Sequence, residues 1–200
     1  MKILKKLLVR IILLILTVGI VCSSVVAVLG YFMYRDALKE QSLEDRVAEV
    51  QANPSYTTLA ELPDIYLEAV VAVEDHRFRQ HCGIDIIAIA RATCNNIKSW
   101  SLREGGSTIT QQLAKNLYFT QERSFIRKAA EMFMAFRLEQ TYTKDEILEL
   151  YVNSIYFGDG YYCVRDASEG YFGKEPGEMT DYESTLLAGI PNAPSVYSLP

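Results

Sequence analysis

The chain begins with one long apolar run and continues with the periodic pattern of amphipathic helices. No charged residue occurs between Arg10 and Arg35, and this run exceeds the roughly 20 residues that a helix needs to cross a bilayer. The basic residues before it place the N-terminus in the cytoplasm and the rest of the chain on the far side of the membrane. We therefore predict a cytoplasmic tail over residues 1–10 and a transmembrane anchor over residues 11–34.

A cleaved signal peptide is the alternative interpretation of this apolar run. Its hydrophobic core would span about 7–15 residues and would end at a site of small residues. The run here is longer, and Val26-Ala27-Val28 is a poor cleavage site. The pattern therefore favours an uncleaved anchor.

Beyond the anchor, the pattern changes twice. Residues 35–62 are rich in charge and contain the turn signal Asn53-Pro54, so we predict a stalk or linker there. From residue 63 onward, apolar residues recur at helical spacing and helix-start signals repeat. The expected helices run from Pro63 to Val73, from Asp85 to about Trp100, from the capping box Thr108–Gln111, from Glu122 to Thr141, and from the capping boxes Thr143–Glu146 and Thr180–Glu183. Residues 153–176, rich in Gly and Tyr, predict a loop or short hairpin. No alternating strand series occurs, so we predict a mainly α domain over residues 63–200.

Composition and charge narrow the classes of function. Half of the residues are hydrophobic and 22% are charged, which is typical of a globular protein. The net charge is −5, but the basic residues concentrate between Arg103 and Lys128. A local basic stretch in an acidic protein indicates a specific anionic ligand and no nucleic acid, and a solvated charged face is the plain alternative. With two histidines and no CxxC pair, no structural metal site is indicated.

The first candidate for chemistry is the pair Glu74-Asp75, which closes the apolar helical segment 69–73. A carboxylate at the edge of an apolar segment is expected to have a raised pKa, which suits a general base. Acidic residues near helix ends are also common without any function, so this pair decides nothing by itself.

The second candidate lies on the third predicted helix. Thr108, Gln112 and Lys115 share one face of it, and a neighbouring apolar face can pack on the core. The first amides of this helix, together with Ser107 and Lys115, would suit a phosphate oxygen. An ordinary amphipathic helix is the alternative.

The third candidate lies on the longest predicted helix, where Arg123, Arg127 and Glu131 share one face. An arginine four residues before a glutamate is the less favourable order for a helix-stabilising ion pair. The segment Met132–Leu138 that follows is apolar nearly all round, so we expect it to be buried. Glu131 would then lie where charge meets core, a place that favours function.

Taken in order, these clusters resemble the motifs of one enzyme family. They read Glu74-Asp75-x-x-Phe78-x-x-His81-x-Gly83, then Gly105-Gly106-Ser107-Thr108-Ile109-Thr110-Gln111-Gln112-Leu113-Ala114-Lys115-Asn116, then Arg127-Lys128-x-x-Glu131, then Lys144-x-x-Ile147-Leu148-x-x-Tyr151-x-Asn153. They resemble the family-51 peptidoglycan glycosyltransferases, which comprise monofunctional transglycosylases and the N-terminal domain of bifunctional penicillin-binding proteins. The similarity covers about Pro63 to Pro200 and includes Tyr171-Phe172-Gly173-Lys174 and Leu187-Ala188-Gly189-Ile190-Pro191. The Gly-Gly-Ser-Thr-Ile-Thr-Gln-Gln run is long and very specific.

The resemblance implies a mainly α, lysozyme-like domain with a cleft between two lobes, the smaller one directed toward the membrane. It implies that lipid II is polymerised into β-1,4 glycan strands, with inversion at the donor sugar and release of polyprenyl pyrophosphate. Glu74 matches the base that deprotonates the acceptor 4-hydroxyl. Glu131 matches the second essential acid, which acts at the pyrophosphate side.

The resemblance also implies substrate contacts and partners. Lys115, Arg123 and Arg127 match cations that hold the pyrophosphates. Cleft residues that contact substrate are matched by Ser107, Thr108 and Gln112, and positions that support the base are matched by Asp75, Phe78 and His81. A divalent cation, Mg²⁺ or Mn²⁺, is the candidate cofactor. The implied partners are lipid II, the growing glycan chain, the membrane and other cell-wall synthesis proteins. The implied location is the bacterial cell membrane, crossed once, with the catalytic domain outside.

Some positions depart from the family pattern. Cys82 stands where a proline or another small residue is usual, and Cys163-Val164-Arg165-Asp166 replaces a usual Gly-Ile-x-Ala stretch. The second departure weakens the expected grip on substrate near Cys163. Family members usually continue with further helices beyond the position of Pro200, so a truncated domain, a fragment and an unusually short member are the open alternatives. The sequence contains no Ser-x-x-Lys and no Lys-Thr-Gly transpeptidase motif.

Two other functions remain as alternatives to a polymerase. A lysozyme-like lytic enzyme would need a carboxylic acid to protonate a glycosidic oxygen, but no cation cluster for pyrophosphate. A non-catalytic membrane scaffold would need neither glutamate. The basic residues argue against the first, and the presence of both Glu74 and Glu131 argues against the second.

Overall fold

The computed structural model describes residues 2–100, 105–120, 122 and 124–192, which form α-helices joined by short loops and 3-10 turns. The helices of these residues are α1 (Lys2–Glu40), α2 (Leu43–Gln51), α3 (Asp64–Glu74), α4 (Ile86–Ser99), α5 (Ile109–Tyr118), α6 (Phe125–Thr141), α7 (Lys144–Val152), α8 (Val164–Phe172) and α9 (Asp181–Gly189). No strand forms in these ranges, where Gly158 and Tyr161 make one isolated antiparallel bridge. The predicted mainly α fold, preceded by a helix of membrane-spanning length, is confirmed.

Helix α1 contains the predicted anchor and extends beyond it without a break. Among the described residues it is the one helix long and apolar enough to cross a bilayer, over 36 residues from Lys5 to Glu40. Its last turns pack on α6, where the Tyr31 ring meets the Phe133 ring edge-on with centroids 5.5 Å apart. The anchor and the domain therefore share one continuous helix.

At Gly30 the backbone of α1 lies close to α6. A Cβ atom on Gly30 would stand 2.5 Å from the Cβ of Ala129 and 3.0 Å from the backbone nitrogen of Ala130. By contrast, a Cβ on Gly19 would meet none of the described atoms within 4 Å. A side chain at Gly30 would therefore force α1 and α6 apart, because packed helices have little free volume between them.

Residues 35–62, which the charge pattern predicted as a stalk or linker, take part in the domain. Leu43 and Val47 of α2 and Leu62 belong to the buried core. The buried amide of Asn153 also accepts a hydrogen bond from the Thr57 backbone nitrogen at 2.8 Å and donates one to the Thr57 carbonyl at 2.8 Å. The structure therefore revises that prediction, because the core begins well before Pro63.

The predicted helix starts are confirmed where a capping box marks them. Thr108, Thr143 and Thr180 each accept a hydrogen bond from the third residue of the helix, whose side chain bonds back to the cap backbone. Helix α6 begins at Phe125 instead of Glu122, because the Ser124 side chain caps it by accepting from the Arg127 nitrogen at 3.0 Å. The segment 153–176, predicted as a loop or short hairpin, contains a tight turn with the Gly158–Tyr161 bridge and then helix α8.

The core lies between α3, α5, α6, α7 and α9. Its fully buried members include Tyr66, Leu113, Met134, Leu138, Ile147, Tyr151 and Leu187. The predicted burial of Met132–Leu138 is only partly right, because Phe136 and Arg137 are exposed while the opposite side of α6 is buried. The near-continuous apolar pattern of α6 has a physical cause, since one side meets the core and another meets α1.

Helix α4 stands apart from this core. Only Ala92 of α4 is buried, whereas Ile86 is 77% exposed, Ile97 68% and Trp100 96%. Its first turn is held by the buried Asp85, which accepts hydrogen bonds from two helix amides and from the Arg77 guanidinium at 2.8 Å. Helix α4 is thus fixed at its start and forms one wall of a cleft against the rest of the domain.

Candidate active site

Glu74 is the last residue of α3, at the end of an apolar helix. Its Oε2 accepts a hydrogen bond of 2.8 Å from Gln112 Nε2, and its Oε1 is buried without a hydrogen-bond partner among the described residues. Burial raises the pKa of the Glu74 carboxyl; the Gln112 hydrogen bond lowers it, the neighbouring Asp75 raises it, and Lys115 lowers it. The net direction is upward, as predicted for a carboxylate at an apolar edge.

Gln112 is itself held from the other side. The Tyr151 hydroxyl of α7 donates to Gln112 Oε1 at 3.2 Å, while the amide nitrogen donates to Glu74. Tyr151 is 1% exposed, so it reaches this position from the core. The sequence motif that contains Tyr151 predicts no role for it.

Asp75 and His81 form a buried pair behind Glu74. His81 Nε2 lies 3.0 and 3.1 Å from the two Asp75 oxygens, and Asp75 Oδ2 accepts a 3.1 Å hydrogen bond from the backbone nitrogen of Ile109. This contact corrects one prediction. The first amide of α5, expected to meet a phosphate oxygen, is bound to the carboxylate of Asp75, and the macrodipole of α5 is matched from within the protein.

Thr108 and Phe78 support the site without facing open space. Thr108 caps α5 and donates its hydroxyl to the Gly83 carbonyl at 2.6 Å. Phe78 has no exposed surface, and the Lys144 ammonium lies 4.4 Å from its ring centroid. Both side chains are buried; the substrate contact predicted for Thr108 and the support of the base predicted for Phe78 stay predictions.

Glu131 lies on α6 inside a cluster of cations. It is 1% exposed, and it forms ion pairs with Arg127 through Oε1 and with Lys128 Nζ through Oε2 at 3.0 Å. Lys128 Nζ also donates to Ser107 Oγ at 2.6 Å. Lys128 was missed as a site residue, although its place three residues before Glu131 on a helix was a usable signal.

Lys115 lies between the two glutamates. Burial lowers the pKa of its ammonium; Glu131 raises it, Arg127 and Lys128 lower it, and Glu74 raises it. It forms no ion pair with any described residue. An ammonium that is partly desolvated and not neutralised by one partner is suited to an anionic ligand. Arg123, the remaining predicted cation, lies outside the described residues.

Three of these side chains, those of Glu74, Ser107 and Gln112, line a cleft of about 490 Å³ between α4 and the core. Its lining residues are Val73, Glu74, Arg91, Asn95, Gly105, Ser107, Gln112 and Asn192. The site residues therefore come together from distant parts of the sequence. Arg91, on α4, had no distinguishing signal in the sequence, since it sits among exposed positions of an amphipathic helix.

The described residues do not suit the candidate divalent cation. Both Glu131 oxygens are bound by cationic side chains, and no group of three or more metal-ligating side chains occurs in the described part of the chain. Mg²⁺ and Mn²⁺ prefer open carboxylate oxygens. We therefore derive no step through a metal ion.

Comparison with known proteins agrees with this geometry. A family model described as Transglycosylase matches residues 40–199. Penicillin-binding protein 1F of Bacillus subtilis (strain 168) is 38% identical over 205 aligned residues, which are 97% of this chain and 29% of that protein. Penicillin-binding protein 1A of Neisseria lactamica is 46% identical over 143 residues, which are 72% of this chain and 18% of that protein. The chain belongs to the transglycosylase family.

This transglycosylase chain spans less than a third of the length of the two relatives. The family match begins at residue 40, which agrees with a core that starts at Leu43. Family membership supports the predicted peptidoglycan glycosyltransferase activity. One departure from the family pattern has a structural explanation here, since Cys163 is buried and caps α8 by accepting from the Asp166 nitrogen at 3.4 Å.

Proposed function

We propose that the protein polymerises lipid II into β-1,4 glycan strands at the outer face of a bacterial membrane, releasing polyprenyl pyrophosphate. One observation carries the proposal. A glutamate with a raised pKa lines the cleft, and a lysine lies between it and a cluster of cations. Among the described residues, one oxygen of this glutamate has no hydrogen-bond partner and the lysine forms no ion pair. This arrangement provides one group for a proton and another for a phosphate.

In the proposed reaction, Glu74 acts as the general base. Its free Oε1 takes the proton of the acceptor N-acetylglucosamine 4-hydroxyl, while Oε2 stays bound to Gln112. The acceptor oxygen forms a bond to C1 of the donor N-acetylmuramic acid, and the C1–O bond to the pyrophosphate breaks on the opposite side. The configuration at C1 is inverted, and the leaving group carries away the electron pair.

The cations stabilise the charge that develops on the leaving group. Pyrophosphate leaves readily when preorganised positive groups meet its oxygens, which is electrostatic catalysis. We assign this role to Lys115 first, because it forms no ion pair with any described residue. Arg127 and Lys128 are held in place by Glu131, so Glu131 acts by positioning cations.

The membrane is the second partner. Helix α1 can span a bilayer by length and composition, and the basic residues before the anchor favour a domain on the outer side of the membrane. The exposed isoleucines and Trp100 of α4 form an apolar face beside the cleft. Such a face suits the interfacial region of a bilayer, where tryptophan is enriched. A lipid-linked substrate would meet the cleft at this surface.

A lytic enzyme is the rival function, and the raised pKa of Glu74 does not exclude it. A carboxyl with a raised pKa also suits the general acid of a glycoside hydrolase. The cations around Glu131 favour the polymerase, because hydrolysis of finished glycan produces no pyrophosphate. A scaffold without catalysis would gain nothing from a buried base with a free oxygen.

One experiment separates these functions. The full chain in detergent is incubated with labelled lipid II, or with labelled finished glycan, and the products are sized. Polymerisation predicts long strands from lipid II and no cleavage of finished glycan, and Glu74→Gln should abolish it. Shortened glycan would support the lytic enzyme, and unchanged substrates in both reactions would support the scaffold.

A further inference from the structure

Two hydrogen bonds connect the core residue Tyr151 to the carboxylate of Glu74. The Tyr151 hydroxyl donates to Gln112 Oε1 at 3.2 Å, and Gln112 Nε2 donates to Glu74 Oε2 at 2.8 Å. The three residues come from α7, α5 and α3, so the connection crosses the core of the domain. The proposed proton transfer uses only the other oxygen of Glu74.

The orientation of the Gln112 amide matters because its two ends differ. One end donates hydrogen bonds and the other accepts them, whereas an ionised carboxylate only accepts. If the amide turned over, its oxygen would face the oxygen of Glu74 and the two would repel each other. A donor on the far side favours the productive orientation, and hydrogen bonds in such a chain strengthen one another.

We propose that Tyr151 is a positioning residue, whose hydroxyl holds the Gln112 amide with its N–H toward Glu74 and thereby leaves Glu74 Oε1 free to accept a proton. The reaction in which that proton moves rests on the proposed function, but the positioning of the carboxylate does not. Tyr151 is too deeply buried to meet substrate. Its effect must therefore pass through Gln112.

Several other charged or titratable groups also face Glu74. Burial and Asp75 raise the pKa of the Glu74 carboxyl, and Lys115 lowers it from α5. His76 and Arg91 line the adjoining cavity. None of these contacts includes Tyr151's hydrogen bond to Gln112, so removing that hydroxyl leaves them in place. The Gln112 hydrogen bond lowers the pKa of Glu74, and its weakening should raise that pKa further.

The matched control is Tyr66, a tyrosine on the same helix as Glu74. Tyr66 is fully buried, and its hydroxyl has no hydrogen-bond partner among the described residues. Tyr66→Phe and Tyr151→Phe each remove one buried oxygen from the core. Only the second removes a hydrogen bond that leads to Glu74.

The test measures two quantities in the detergent-solubilised full chain. The first is the rate of lipid II polymerisation as a function of pH. The second is the titration of the Glu74 side-chain carboxyl by carbon-13 NMR, with its signal identified by its absence in Glu74→Gln. We expect Tyr151→Phe to lower the rate about fivefold to tenfold, the effect of one neutral hydrogen bond. Its acid limb and the Glu74 titration should both move to higher pH, and Tyr66→Phe should match wild type.

A second variant tests the route of the effect. In a Gln112→Leu background, adding Tyr151→Phe should change neither the rate nor the titration further, because the connecting amide is gone. Fully additive effects would overturn the proposal, as would a Tyr151→Phe protein that loses thermal stability while its Glu74 titration stays at the wild-type pH.

The two readouts separate this proposal from the proposed function. If wild type makes no polymer but the titration shifts as expected, the function is wrong and the positioning stands. If wild type polymerises and the titration does not shift in Tyr151→Phe, the positioning is wrong and the function stands.

Discussion

The regions around Glu74 and Glu131 both contain a glutamate and a lysine or arginine, but the partners of the two carboxylates differ. Among the described residues, Glu74 has one neutral donor and one oxygen without a hydrogen-bond partner, and burial raises its pKa. Glu131 is more deeply buried, and each of its oxygens is bound by a cation. The first region keeps its carboxylate reactive, and the second uses its carboxylate to fix cations in place.

The difference has a consequence for stability. A carboxyl whose pKa is higher in the folded state than in the unfolded state contributes stability below its unfolded pKa. That contribution is lost as the pH rises through its folded pKa. Ionised Glu74 therefore lowers the stability of the fold at neutral pH. Removal of Glu131, by contrast, would leave two cations without their counter-ion and would destabilise the fold.

The largest expected effect is on catalysis. Glu74→Gln keeps the shape of the side chain and removes its basicity, so the polymerisation rate should fall by ~10²–10⁴-fold. Thermal unfolding at pH 8 should show equal or higher stability than wild type, because a buried charge is lost. A variant that polymerises at the wild-type rate would refute the role of the base.

Replacing Glu131, in contrast to Glu74, should act mainly on the stability of the fold. Glu131→Gln is expected to destabilise the fold by about 3 kcal/mol, at the low end of the range for breaking a buried ion pair, because the amide keeps one acceptor. For a domain of this size the midpoint of thermal unfolding should drop by roughly 6–12 °C. An unchanged midpoint with full loss of activity would assign Glu131 a direct chemical role.

Lys115 should affect binding of the leaving group more than stability. Charge-assisted contacts contribute ~1.5–3 kcal/mol each, so Lys115→Ala should weaken inhibition by polyprenyl pyrophosphate roughly tenfold to more than a hundredfold. Lys39→Ala, at an exposed lysine at the end of α1, is the control. Equal inhibition in wild type and Lys115→Ala would show that Lys115 does not bind the pyrophosphate.

Gly30 offers a way to disturb only the second region. Gly30→Val would push α1 against Ala129 on the helix that carries Glu131, and overpacking of this kind costs about 1–3 kcal/mol. Gly19→Val, on the same helix with open space around it, should leave thermal unfolding unchanged. The Glu74 titration should stay at the wild-type pH in both variants. A shift in Gly30→Val would mean that the two regions are mechanically coupled.

The smallest expected effect is a coupling through charge. Because burial raises the pKa of Glu74, the acid limb of the wild-type pH–rate profile should lie above 4.5, the ordinary value for glutamate. Lys115 lowers that pKa, so Lys115→Ala should move the acid limb further toward high pH. Identical acid limbs in wild type and Lys115→Ala would show that the charge of Lys115 does not affect the pKa of Glu74.

The sequence predicted the elements that depend on local rules. Capping boxes located the starts of α5, α7 and α9, and the motifs identified Glu74, Gln112 and Glu131. Prediction from the sequence failed where contacts between residues far apart in the chain determine the structure. Residues 35–62 read as a charged stalk because α2 is short and its two buried residues, Leu43 and Val47, lie among charged ones. The motifs also did not show that Thr108 and Phe78 are buried, because a motif records which residue is present and not how exposed it is.

The remaining misses have the same origin. Tyr151 and Lys128 gain their roles from partners on other helices or loops, at Gln112 and Ser107. At the start of α5, the first amide predicted to meet a phosphate is instead bound by Asp75, 34 residues earlier in the chain. A local sequence pattern does not show whether a ligand phosphate or a carboxylate of the protein binds the amides at a helix start.

The unbroken course of α1 makes the bilayer itself a determinant of geometry. Its 39 residues extend ~58 Å at 1.5 Å per residue, and its last turns are packed on α6. A helix longer than the local hydrocarbon thickness tilts, and a thinner bilayer increases the tilt. Because no hinge separates the anchor from the domain, such hydrophobic mismatch would lean the whole cleft toward or away from the lipid surface. The acyl-chain length of the lipids would then regulate how the cleft is oriented toward its substrate.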